Sequence, residues 1–228
     1  MKQVILILCI VVFAFSGIYS ADETNNSQEL SMQKMDVRHF DPVFPVTLIG
    51  TQLDGQVNFM TAAWVTRVEI DPYLFAVSIQ KRHFTHKAIM ENHTFSINIP
   101  TVDMLPQVDG VGMTSGKEYD KSEIFDAFYG DDTTIPMVNG SIISFECEVA
   151  DTVNLVQSDA AHPSAHTLII GRVKNVWVNK KGVKDNALDY ETLKPVLWTM
   201  SPRNYWTVGE KQGQAFDGEH IKLIPKKK

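Results

Sequence analysis

Side chains able to hold an anion gather between Asn58 and Lys87. The run Asn58-Phe59-Met60-Thr61-Ala62-Ala63-Trp64 offers a hydroxyl at Thr61, and its two alanines let a ligand come close to the backbone. A strand pattern over Leu74–Ile79 brings a second hydroxyl, Ser78, toward a strand end. Arg82-His83-Phe84-Thr85-His86-Lys87 then opens a short helical pattern, with Thr85 as a plausible N-cap. The first turn of a helix has unpaired N–H groups and partial positive charge, so it attracts acids or an anionic ligand. Cations crowd this one, which points to an anionic guest. The chemistry suits a phosphate attached to a flat, partly apolar ligand. Each segment alone also has a plainer reading, the first as a buried strand with a core tryptophan and the second as a capped surface helix.

Other chemistries fit poorly. His83 and His86 are three apart, and His162 and His166 are four apart with Pro163 between them, which argues against a helix presenting both. No cysteine pair and no His-Glu-x-x-His accompanies them, so no metal is expected. The nucleophile elbow of a serine hydrolase, Gly-x-Ser-x-Gly, is absent.

Short strands must position these groups. The pattern predicts strands near Val43–Ile49, Gln56–Met60, Leu74–Ile79, Phe95–Ile99, Ser141–Val149 and Thr167–Asn179, with a turn at Leu53-Asp54-Gly55. Phe95, Ile97 and Ile99 alternate with Ser96 and Asn98, and Ile143, Phe145, Cys147 and Val149 alternate with Ser144, Glu146 and Glu148. That period of two reads as half-buried strand. Helices are predicted over Thr85–Asn92 and Asp120–Phe128, with a weaker candidate near Asp185–Leu188. Many strands and few small helices predict a mainly all-β chain, a single antiparallel β-barrel.

The chain has 228 residues. Met1-Lys2 followed by the apolar run Val4–Phe15 and small residues near Ser20 reads as a signal peptide over residues 1–20. An uncleaved N-terminal membrane tether is the alternative, and either one predicts export. Residues 21–36 read as a polar tether and 37–225 as one domain, with no other segment able to span a bilayer. Net charge is −6, or −7 without the leader, since residues 1–20 hold Lys2 and no acid. An acidic chain is not built to hold nucleic acid. Without Cys9 in the leader, Cys147 is left with no intrachain partner.

The order of these segments resembles the flavin reductase-like family, and within it the flavoredoxin branch. The likeness rests on Pro45–Ile49, Asn58–Trp64, Asp71-Pro72, Val77–Ile79, Arg82–His86 and Phe95–Pro100. It continues through Thr114-Ser115-Gly116-Lys117 with Asp120-Lys121, Ala165–Val173, and Pro202–Gly218 with Tyr205-Trp206. The resemblance implies a split β-barrel of Greek-key type that binds FMN. It places Thr61, Ala62 and Ala63 along the isoalloxazine or ribityl chain, flanked by Asn58 and Trp64. Ser78, Arg82, Thr85 and His86 would address the ribityl and phosphate. Ser115, Gly116 and Lys121 would add phosphate contacts, and His166 would stand near the reactive edge. A homodimer with flavin close to the subunit interface is also implied. Two redox roles follow: an oxidoreductase taking hydride from NADH or NADPH, or an electron carrier exchanging with a partner protein outside the cytoplasm. A barrel that has kept only the fold is the third reading. The chain departs from the family in two places: an aromatic does not directly follow Lys121, and the family is usually cytoplasmic.

Overall fold

Runs rich in β-branched and aromatic residues form seven strands of one antiparallel sheet: β1 Thr47–Leu53, β2 Gln56–Ala62, β3 Val65–Glu69, β4 Leu74–Gln80, β5 Thr94–Ile99, β6 Ile143–Asn154 and β7 His166–Val178. The structure is a computed structural model describing residues 32–36, 40–155 and 165–215. The chain divides into two units, Met1–Asp36 and Val37–Lys228. Residues 32–36 of the first are exposed and without regular structure, and the leader lies outside the described residues. Residues 40–155 and 165–215 belong to the second unit.

Strand order across the sheet is β2-β1-β5-β6-β7-β4-β3. Its two edges, β2 and β3, are consecutive in sequence, with only Ala63 and Trp64 between them. A sheet whose opposite edges are joined by two residues must roll until those edges meet. They share that two-residue crossing but do not pair, so the barrel is split, as the sequence pattern and resemblance together predict. The β1–β2 hairpin turns at Asp54-Gly55, both left-handed with φ of 51° and 79°, as a two-residue turn between right-twisted strands requires.

Two apolar clusters form on opposite faces of this sheet. Ile49, Val77, Ile79, Phe95, Ile97, Phe145 and Ile169 pack with Ile89 of helix α1, Phe84–Asn92. Leu48 and Phe59 pack instead with Val108 and Val111 of helix α2, Leu105–Met113, and with Phe125, Val138 and Val196. The alternation was therefore read correctly, but half-burial was not. Ser96, Asn98, Ser144 and Glu146 are buried as well, because the segment around Pro136 lies over them. Ser96 Oγ donates to the Pro136 carbonyl at 2.6 Å, and Asn98 Oδ1 accepts from Val138 N at 3.0 Å. Glu146 Oε2 accepts from Asn175 Nδ2 at 2.6 Å, while its Oε1 is buried without a hydrogen-bond partner.

The helices differ most from expectation. Residues 120–128 make turns and a two-residue strand rather than a helix. Phe125 enters the core edge-on to Phe59 at 5.4 Å, while Lys121 is drawn inward beside it. The second helix is α2, with proline in its first turn. Asp185 and Asn186 form a left-handed turn, and the last helix among the described residues is a single turn, Tyr190–Leu193, capped by Asp189. Strand β3 and a C-terminal hairpin, β8 Leu197–Thr199 and β9 Asn204–Trp206, were not foreseen. Among the described residues no helix is long and apolar enough to cross a membrane.

Candidate functional site

A cavity of about 520 Å³ opens where β2 crosses to β3. Thr61, Ala62, Ala63 and Trp64 line it at that crossing, and Ser78 and Gln80 line it from the end of β4. Register places His166, the first residue of β7, opposite Gln80. The Trp64 and His166 rings lie 5.2 Å apart at 47°, so the two strands together make one wall. Helix α2 contributes Asp109 and Gly112, and the β8–β9 hairpin contributes Trp198, Arg203 and Tyr205. Tyr205 Oη donates to Asp109 Oδ1 at 2.8 Å, tying the hairpin to the helix. Burial, with that carboxylate, pushes the phenol up to about 12. Thr61 Oγ1 donates to the Val108 carbonyl at 2.5 Å, which fixes α2 against β2.

The N-terminus of α1 supplies the electrostatics. His83 is its N-cap residue, makes no side-chain capping bond, and lines the cavity. No acid occupies the first turn, so the leading N–H groups of a nine-residue helix are not capped by a side chain. Burial lowers the pKa of His83, and Arg82, His166, Lys121 and Lys117 lower it further by charge. His166 is lowered by burial and then by Arg82. An exposed guanidinium that opposes the protonation of both imidazoles marks a region of positive potential, where an anion would relieve the repulsion.

Six of the residues singled out from sequence line the cavity: Thr61, Ala62, Ala63, Trp64, Ser78 and His166. Arg82 is exposed beside it and reaches His83 and His166 through its charge. The others are set differently. Thr85 is not the N-cap: it is buried, and its Oγ1 accepts from Asn58 Nδ2 at 2.9 Å. His86 turns toward β7, with Nε2 3.0 Å from Thr167 Oγ1, and burial followed by Lys81 lowers its pKa. Gly116 packs on Asn58, where a Cβ would fall 2.2 Å from Oδ1, and Ser115 Oγ accepts from Lys117 N at 3.2 Å. Lys121 spends its three donors on the carbonyls of Phe59 at 3.3 Å, Val111 at 2.9 Å and Thr114 at 2.8 Å. Asn58, Thr85, Gly116 and Lys121 thus lie behind the wall rather than on it, because each is committed to a neighbouring part of the protein. Asp109, Trp198 and Arg203 were missed, while Tyr205 was seen only as part of an aromatic C-terminal segment. His162 lies outside the described residues.

These residues fit a flavin mononucleotide. The cavity has the size of a cofactor site, with aromatic walls and a few convergent polar groups. Ala62 and Ala63 present only methyl groups at the strand crossing. An uncapped helix start flanked by Arg82 and His83 is the donor set a phosphate needs.

Comparison with known proteins agrees. The flavin reductase like domain model matches residues 43–201. Flavoredoxin from Methanosarcina acetivorans is 31% identical with a TM-score of 0.76, over 83% of this chain and 97% of that one. Flavoredoxin of Desulfovibrio vulgaris (Miyazaki F) is 27% identical with a TM-score of 0.73, over 82% and 98%. An NADH-dependent flavin reductase of Rhodococcus sp is 28% identical over 150 residues, 65% of this chain and 76% of that protein. With the family model spanning well over half of the sequence, the chain belongs to the flavin reductase-like family.

Proposed function

We propose that the protein binds FMN in this cavity and acts as an oxidoreductase, taking hydride from NADH or NADPH. One observation carries the reading: the uncapped, cation-flanked start of α1 stands at a cavity walled by Trp64, Trp198 and Tyr205. Bound FMN would supply hydride acceptance at its isoalloxazine ring, chemistry that belongs to the cofactor. The chain's own residues bind and orient. The first-turn N–H groups of α1 and Arg82 would hold the phosphate. Trp64 and the short side chains of Ala62 and Ala63 would receive the ring. His166, whose imidazole is biased toward its neutral form by burial and then by Arg82, would stand beside the ring. The likeness to an NADH-dependent flavin reductase supports the choice of donor.

The apolar leader at Val4–Phe15 favours a second reading, because a nicotinamide donor is scarce outside the cytoplasm. On that reading the exported protein keeps FMN bound and passes electrons to a partner protein, and a homodimer suits either role. The test is spectroscopic. Protein carrying flavin absorption that consumes NADH or NADPH with added flavin is the reductase. Flavin absorption that persists unchanged under both nicotinamides marks the carrier, and protein that neither carries nor takes up FMN refutes both.

A further inference from the structure

Lys121 is only 1% exposed. A buried ammonium ordinarily needs a carboxylate, since leaving water costs several kcal/mol. Among the described residues, no acid pairs with this one. Its three N–H donors end on the carbonyls of Phe59 in β2, Val111 in the last turn of α2, and Thr114, the residue that ends α2. Three donors are all an ammonium has, so no donor remains for a ligand.

The position of those carbonyls explains the arrangement. The last carbonyls of a helix lack intrahelical partners and carry partial negative charge. Helix α2 has particular need of help there. Gly110 and Gly112 each weaken it by about 1 kcal/mol relative to alanine, and its last turn holds no basic residue of its own. Lys121 supplies the missing cation from outside the helix and reaches β2 with its third bond. The helix it holds is also a wall of the cavity, through Asp109, Gly112 and Met113. Space along that wall is tight: a Cβ on Gly112 would sit 3.2 Å from Thr61 Cβ.

We infer that Lys121 is a positioning residue, whose ammonium fastens the C-terminal turn of α2 to β2 and thereby sets the wall against which the cofactor binds. The inference rests on the reading of this cavity as a flavin site. It differs from a phosphate contact in what it predicts. A lysine touching phosphate discriminates FMN from riboflavin, whereas a lysine that fixes a wall serves both alike.

The experiment measures FMN and riboflavin affinity for the wild type and Lys121→Met, with amide hydrogen exchange on both proteins free of ligand. The expected result is a loss of roughly tenfold for each flavin, with faster exchange in residues 108–116 and unchanged exchange in β5 and β6. A loss confined to FMN would overturn the inference in favour of a phosphate contact. Unchanged affinities with a lowered melting temperature would also overturn it, reducing Lys121 to general stability. If Lys121→Met does not fold, Lys121→Arg serves, because it keeps the charge but cannot place the same three bonds at that depth. A smaller but equal loss for both flavins supports the inference there, and no loss overturns it. Should the wild type bind no flavin, the cofactor reading fails by itself, while the exchange comparison still tests the fastening of α2.

Discussion

Replacing Gly116 by alanine should disturb the start of α1 without touching the cavity. The added Cβ would lie 2.2 Å from Asn58 Oδ1, 3.0 Å from its Cγ and 3.3 Å from Phe84 Cβ. Asn58 cannot swing clear, since it is 1% exposed. Its Oδ1 has no hydrogen-bond partner to lose, but its Nδ2 holds Thr85 Oγ1 at 2.9 Å in the first turn of the helix. Turning the amide away from the new methyl breaks that bond. Overpacking costs about 1–3 kcal/mol, and a broken buried hydrogen bond about 1–3 kcal/mol. A combined loss of about 2–6 kcal/mol corresponds to a fall in Tm of roughly 4–24 °C for a domain of this size. Thermal and denaturant melts measure it, and FMN affinity should fall in step if the loosened turn holds the phosphate as proposed. A variant that melts with the wild type and binds FMN equally would refute the packing argument.

Three further outcomes are expected. Arg82→Ala should weaken FMN by roughly 10- to 150-fold, the worth of a charge-assisted contact, and should leave riboflavin nearly unchanged in the same fluorescence titration. Tyr205→Phe removes the 2.8 Å bond to Asp109 and should cost about 1 kcal/mol in a denaturant melt, with looser flavin binding as the hairpin frees itself from α2. The third concerns pH. Burial lowers the Lys121 ammonium from 10.5 to about 8, so in that window the unfolded chain holds a proton the native chain has released. Stability should therefore rise with pH across that window. Lys121→Met should lack that rise in melts taken across the window, and an identical rise in both proteins would assign it to another group.

Much of the fold was legible because local patterns carry it. Alternation in β5 and β6 and the Asp54-Gly55 turn are properties of neighbours in sequence. Strand β3 escaped because only Val65 among its residues is buried, leaving no apolar face to read. Helix α2 escaped because Gly110 and Gly112 argue against a helix, and its compensation comes from Lys121, far from the pattern itself. The spacing of Ile124, Phe125 and Phe128 imitated a helix that burial does not support, since Ile124 points outward at 37% exposure while Phe125 is in the core. The site divided along the same line. Thr61 to Trp64, Ser78 and His166 sit at strand ends where residue type alone is suggestive. Asp109, Trp198 and Arg203 join them through tertiary packing that no local spacing encodes. Lys121 was legible as a cation, but that its charge would be turned onto carbonyls is a fact of three dimensions.

Whether the cavity between β2, β4 and α1 receives a flavin phosphate is tested most directly by one titration. FMN added to purified, flavin-stripped protein should bind with quenching of flavin fluorescence, and should bind more tightly than riboflavin in the wild type by a margin that shrinks in Arg82→Ala. Protein that leaves the fluorescence of both flavins untouched would contradict it.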